Sequence, residues 1–186
     1  MSVEVTSMPS NTTIVSDSDA TSFAVSQDTF KVSMRHLAGA VSVITVGQGD
    51  DRTGFTATSV SSLSADEPSV IVSLNRGSSS WPVLQRHGRF CVNVLAHDQQ
   101  HVAQSFAGHG GRNGVSRYED AQWSTIETGS FVLEDALTAL DCELVEAIEM
   151  YSHAIVISRV KAITLRQDAE PLLYWKGGFH HLAASS

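Results

Sequence analysis

Between Val41 and Leu182 the chain is a succession of strand-length runs with no repeating strand–helix–strand period. Residues 41–46, 54–64, 69–75 and 89–95 form the first group, and residues 48–52 supply a turn between the first two. A long strand is expected around 137–147 and another at 153–165, followed by a short pair around 172–175 and 179–182. Helical signals are few. Asp28 is placed to cap a helix with Phe30, Met34 and Leu37 along one side and Gly39 at its end. Ser80 or Trp81 starts a short helix with Pro82 in its first turn, where a missing N–H costs nothing. Residues 98–106 read as a third, closed by Ala107-Gly108. Many strands and few helices predict a mainly β fold, a closed or half-closed antiparallel barrel.

The run 54–64 carries the first chemical signal. Strict alternation puts Phe55, Ala57, Ser59 and Ser61 on one face and Thr56, Thr58, Val60 and Ser62 on the other. Small hydroxyl residues on a strand let a flat, phosphate-bearing molecule approach the backbone closely and offer it hydroxyl and N–H donors. The same composition also suits an ordinary solvent-facing strand.

The 186 residues are enough for one domain with a substantial core. A formal charge of −8 argues against a nucleic-acid surface or an anionic membrane as partner. No apolar run reaches the roughly 18 residues that span a bilayer, so a cytoplasmic protein is expected. Cys91 and Cys142 each fall within a strand pattern and read as buried, reduced thiols. Residues 1–27 are rich in Ser and Thr and lack the basic start of a secretory signal or the arginines of a transit peptide. They are expected to form a disordered or loosely packed tail ahead of a domain at 28–186.

The order of the remaining pieces is specific. Gly54-x-Thr56-Ala57-Thr58-x-Val60-x-Ser62 is followed by Leu74-Asn75-Arg76-Gly77-Ser78, then by the run Phe90-Cys91-Val92-Asn93-Val94-Leu95-x-His97-x-Gln99, then by Phe106-Ala107-Gly108. Ser152-His153, the run from Pro171 to Tyr174, and Phe179-His180 close the series. Over residues 28–182 this resembles the short-chain flavin reductases, the reductase components of two-component flavin-dependent monooxygenases of the 4-hydroxyphenylacetate 3-monooxygenase type. The wording from Asn75 to Pro82 also resembles reductases of pyrimidine breakdown. The resemblance implies a six-stranded, Greek-key, FMN-binding split barrel that pairs as a homodimer with flavin near the subunit interface. It implies hydride transfer from NADH or NADPH to FMN, or to FAD, and delivery of reduced flavin to a partner monooxygenase. A flavin-binding carrier or redox sensor on the same barrel is the alternative.

Carried over position by position, the resemblance places Thr56, Ala57, Thr58 and Ser59 along the isoalloxazine and ribityl chain. Ser62, Asn75, Arg76 and Ser78 fall toward the phosphate, with free N–H groups at the start of the Trp81 helix. Phe90, Cys91 and Asn93 continue the pocket. His153 is the catalytic candidate, orienting the nicotinamide and flavin by hydrogen bonding. Arg117 reaches a phosphate across the dimer, and Tyr174 covers the rings. His97 and His101 have helical spacing but no third metal ligand, and read as a surface helix. Residues 108–114 follow a helix rather than a strand and read as a loop that closes over the nicotinamide. Three positions depart from the family pattern. Asp66-Glu67-Pro68 keeps one of two usual prolines, Gly177-Gly178 replaces basic residues, and Met150-Tyr151 stands where a glycine is common.

Overall fold

The computed structural model describes residues 3–7, 13–17 and 25–182. It divides into two compact units, residues 1–38 with 175–178 and residues 39–174 with 179–186.

In the first unit, β1 (Val3–Ser7) and β2 (Thr13–Asp17) form an antiparallel ladder with Val5 opposite Val15. Two short paired strands thus lie within the segment expected to be disordered or loosely packed. Val-Glu-Val-Thr and Thr-Ile-Val-Ser are β-branched enough to pair, and the surrounding Ser and Thr hide that signal. The rest of that stretch lies outside the described residues. Helix α1 (Gln27–Met34) is capped by Ser26, whose Oγ accepts the Thr29 N–H at 3.2 Å. Asp28 sits in the first turn and pairs instead with Lys31 at 3.3 Å. The helix stops at Arg35, short of Gly39, and buries none of its residues.

The second unit runs β3 (Gly39–Ala40), β4 (Ser42–Val46), β5 (Thr53–Ala57), β6 (Ser61–Ser64), β7 (Ser69–Asn75), α2 (Ser80–His87) and β8 (Arg89–Val94). A 3₁₀ turn (His97–Gln99), α3 (Gln100–Phe106), two further 3₁₀ turns (His109–Gly111 and Gly114–Tyr118), β9 (Trp123–Thr125) and β10 (Phe131–Leu133) follow. Two long strands, β11 (Thr138–Met150) and β12 (His153–Leu165), and the short β13 (Leu172–Trp175) and β14 (Gly178–His181) complete the chain. The main sheet is antiparallel, with seven strands in the order β5-β4-β8-β11-β12-β7-β6. Strands β14, β13 and β3 form a second sheet, and β9 pairs with β10.

Strands β5 and β6 are the two edges of the main sheet, yet only Thr58, Ser59 and Val60 join them. That connection spans about 14 Å at full extension. A flat seven-stranded sheet would hold its edges about 29 Å apart. The sheet is therefore rolled, bringing the end of β5 to within that reach of the start of β6, without a ladder between them among the described residues.

The resemblance implied six strands, and residues 54–64 were expected to be one of the strands. The structure breaks that strand because Ser59 substitutes a side chain for the ladder. Its hydroxyl donates to the Ser73 carbonyl and accepts the Ser73 N–H, both at 3.3 Å. The break also shifts the alternation. Phe55 and Ala57 pack on the inner core before it, and Val60 does so after it. Ser61 pairs with Ile71, on the outward side of β7. A one-residue slip exchanges the faces of a strand.

The inner core joins Ile44, Val72, Leu74, Phe90, Val92 and Val156 under a cap of Trp81, Val83 and Leu84 from α2. A second core packs α3 and the rings of Tyr118, Trp123 and Phe131 outside β4 and β8. Coverage on both sides explains why every residue of β4 is buried. Cys91 and Cys142 are free and buried. Among the described residues no helix is long and apolar enough to cross a membrane.

Candidate functional site

Among the described residues, the outward face over β6, β7, β12 and β11 is exposed. Inward positions of β7 and β12 are Val70, Val72, Leu74, Ala154 and Val156, so Ser73, Asn75, His153 and Ile155 point outward. Register sets them side by side. His153 lies opposite Asn75 on one flank and Met150 on the other, while Ile155 lies opposite Ser73 and Ile148. With Ser59 and Ser61 on β6's side, the face is a hydroxyl and amide strip running into exposed apolar surface at Ile148, Met150 and Ile155.

Two turns border this face. The first, from Asn75 to Ser79, is held by its own residues. The Asn75 Oδ1 accepts the Gly77 N–H at 2.8 Å and its carbonyl accepts the Ser78 N–H at 3.1 Å. The second joins β11 to β12 through Tyr151 and Ser152. Arg76 ties the two together: its guanidinium reaches Glu149 at 2.5 Å and the Tyr151 carbonyl at 3.1 Å, and its N–H donates to the Ser152 carbonyl at 2.9 Å. Ser152 Oγ in turn lies 2.9 Å from His153 Nδ1. A Ser152 hydroxyl that donates to Nδ1 leaves the ring proton on Nε2, available to a bound molecule.

Thr58 forms the corner where β5 leaves the sheet. A Cβ on Gly39 would stand 3.1 Å from the Thr58 Cβ and 3.3 Å from its carbonyl oxygen, so a larger residue there would press Thr58 aside by a few tenths of an ångström. Gly39 pairs with Tyr174, whose ring meets Phe179 edge-on at 5.4 Å. Tyr174 thus pairs with the residue whose backbone approaches Thr58.

Of the residues expected at the site, the structure brings Thr58, Ser59, Asn75, Ser78 and His153 to this face and its border, with Tyr174 beside it. Others have different work. Thr56 turns to the outer layer and donates to the Ala103 carbonyl at 2.6 Å, and Ala57 packs in the inner core. Ser62 pairs with Val70, an inward position, so it faces away from Ser61. Phe90 is fully buried in the inner core. Cys91 and Asn93 are fully buried on the opposite face of β8. There Asn93 accepts the Leu133 N–H at 2.7 Å and donates to the Val43 carbonyl at 3.2 Å. Alternation along β8 forbids Phe90 and Asn93 from sharing a face.

Arg117 lies in the outer layer, half-buried, where its Nη1 donates to the Phe106 carbonyl and desolvation lowers its pKa. Arg76 serves the hairpin turn rather than standing free for a phosphate. The start of α2 is also less open than expected. The Ser80 N–H goes to Ser78 Oγ at 3.3 Å, the Trp81 N–H to the Ser78 carbonyl at 3.2 Å, and Pro82 has none. Ser73, Ser152 and Glu149 were missed. Period-2 counting from His153 and Asn75 would have found Ser73, whereas Glu149 is visible only once Arg76 is seen to cross to it.

A flat ring system with a polar tail fits this donor set. The strip offers hydroxyls without bulk, the flanking isoleucines and methionine offer apolar surface, and a buried Ser80 hydroxyl at the start of α2 has no partner among the described residues.

A family model for the flavin reductase like domain matches residues 34–183. The 4-hydroxyphenylacetate 3-monooxygenase reductase component of Salmonella typhimurium strain LT2 is 38% identical over 151 residues, covering 81% of this chain and 89% of that one. The FMN reductase (NADH) RutF of Stutzerimonas stutzeri is 35% identical over 162 residues, covering 87% and 91%. The crystal structure of BorF, the flavin reductase component of a bacterial two-component tryptophan halogenase, superposes with a TM-score of 0.78 at 28% identity, covering 86% of this chain and all of that one. With its rolled sheet, its hydroxyl strip and its matched span, the chain belongs to the flavin reductase family.

Proposed function

We propose that this protein is an NAD(P)H:flavin oxidoreductase that reduces FMN with NADH and hands reduced flavin to a separate monooxygenase in the cytoplasm. The observation that carries it is the outward strip of Ser59, Ser73, Asn75 and His153 beside Ile148, Met150 and Ile155, in a chain of this family. The names of the relatives support the flavin and the donor, since one is an FMN reductase acting with NADH. FAD and NADPH are the alternative pair. The reductase domain is taken as residues 28–186, with 1–27 as an appended segment. Counting β5 and β6 as one bent strand makes the rolled sheet a six-stranded split barrel. The uncovered apolar edge at Ile148, Met150 and Ile155 is suited to pairing with a second copy, which would close the flavin between two subunits.

When bound, flavin supplies the two-electron acceptor for a hydride from the nicotinamide. The chain's task is to hold two flat rings in contact and to exclude water. Ser59 and Thr58 present small side chains where a ring must approach the backbone. Ile155 and Met150 give it an apolar floor. Asn75 and Ser78 shape the turn toward the polar tail. His153 Nε2 donates a hydrogen bond at the strand mouth and orients the reacting rings.

The test is anaerobic rapid mixing of FMN-loaded protein with NADH, and separately with NADPH, followed by the bleaching of oxidised flavin near ~450 nm. Fast bleaching supports the reductase. Tight flavin binding that neither nicotinamide bleaches moves the protein to a flavin carrier or sensor. In His153→Ala the bleaching should slow while flavin affinity holds, and unchanged kinetics would remove His153 from the site.

A further inference from the structure

The turn between β11 and β12 has two residues, Tyr151 and Ser152. Tyr151 has φ +54°, and Ser152 is not among the residues with positive φ. A positive φ at a hairpin's first central residue is a left-handed position that glycine fills without steric cost. A tyrosine there pays steric strain from its Cβ, and its side chain, 86% exposed, packs little against the described residues to offset it. The turn should therefore relax toward other geometries unless something outside it fixes the backbone. Arg76 does so. Its guanidinium holds the Tyr151 carbonyl and its N–H holds the Ser152 carbonyl, two of the three peptides of the turn. Glu149, on the last turn-proximal stretch of β11, anchors that guanidinium at 2.5 Å. The next atom along is Ser152 Oγ, against the His153 ring.

We propose that Glu149 and Arg76 form a positioning clasp that holds the left-handed Tyr151 turn and, through Ser152, sets the direction of the His153 imidazole. This rests on the reductase reading above. Neither residue needs to touch flavin or nicotinamide. The clasp also links the Asn75–Ser79 turn to the His153 turn, so the two borders of the strip move as one body.

The experiment uses full-length, FMN-loaded protein and measures the first-order rate of flavin reduction by NADH in four forms: wild type, Glu149→Ala, His153→Ala and the double variant. Glu149→Ala is expected to slow reduction about tenfold, the scale on which small misplacements act, with FMN affinity unchanged within about twofold. In the His153→Ala background it should cause no further slowing. Glu149→Gln keeps an acceptor for the guanidinium and should recover part of the rate. Tyr151→Gly removes the strain, so adding Glu149→Ala to it should cost about twofold or less. Equal slowing with and without His153, or none in the wild-type background, overturns the proposal. The His153 ring resonances give a readout that needs no turnover. If NADH fails to reduce even the wild-type protein, the reductase reading falls, and the clasp is judged by those resonances alone. A shift on Glu149→Ala sustains it, and unmoved resonances reject it.

Discussion

Asn93 separates a structural residue from a binding one most sharply. Its position in the Phe90–Leu95 run marked it as part of a flavin pocket, but the structure makes it a fully buried pin between β8, β4 and β10. Its Oδ1 takes the Leu133 N–H at 2.7 Å, and its Nδ2 supports the Val43 carbonyl at 3.2 Å and Thr45 Oγ1 at 3.4 Å. Asn93→Ala orphans a buried N–H, which costs about 1–3 kcal/mol. The vacated amide volume adds about 1 kcal/mol. The expected loss is therefore about 2–4 kcal/mol, out of a total of roughly 10 kcal/mol for a domain of this kind. Urea unfolding followed by tryptophan fluorescence should show the midpoint falling by about 1 M with little change in slope. At zero denaturant the variant should bind FMN as tightly as wild type, within about twofold. A tenfold loss of flavin affinity with an unmoved urea midpoint would refute the burial argument and return Asn93 to the pocket.

Other outcomes follow from single contacts. Gly39→Ala forces its Cβ against Thr58 at 3.1 Å, and should weaken FMN binding by displacing that corner while leaving the β4–β8 core intact by urea titration. The Asp51 carboxyl is held below its ordinary 3.8 by hydrogen bonds from Arg86 and then His87. A depressed folded-state pKa stabilises above the unfolded value and the benefit is lost as pH falls through the folded one. Asp51→Asn should therefore flatten the acid limb of stability below about pH 4, seen by thermal melts across pH. Burial pushes the Cys142 thiol up to about 12, so thiol reagents at about pH 8 should label it only at the rate of unfolding. Labelling at the rate of a free thiol would show that the inner core opens locally.

How far the sequence could be read depended on whether a feature was local. Strand runs such as Ser69–Asn75 and His153–Leu165 appear with the bounds that their β-branched residues and flanking turns imply. That His153 opens a strand was legible because apolar residues follow it. The failures are non-local. Nothing within residues 54–64 says that Ser59 will bond the Ser73 backbone and shift the alternation, because its partner lies 14 residues on. Likewise Cys91 and Asn93 look like pocket residues in a strand with polar positions. Only the packing of β10 across the outside of β8 shows that the polar face is internal. Arg76 reads as a residue at the phosphate end until Glu149 and Tyr151 are seen beside it.

The same contrast accounts for the turn before His153. A two-residue hairpin of this kind specifies its own shape when glycine fills the left-handed position, and the rest of the protein can ignore it. With tyrosine there, the local sequence disagrees with the local geometry, and the disagreement has to be resolved by contacts from elsewhere. Three come from Arg76, reaching from the end of β7 to Glu149, Tyr151 and Ser152. The ion pair is about two-fifths exposed on both sides. Such a pair contributes little to global stability, on the order of 0–1 kcal/mol, so its effect is expected in the direction of one imidazole rather than in the melting temperature. A glycine in the turn would make Arg76 and Glu149 replaceable, and the tyrosine makes His153 depend on them.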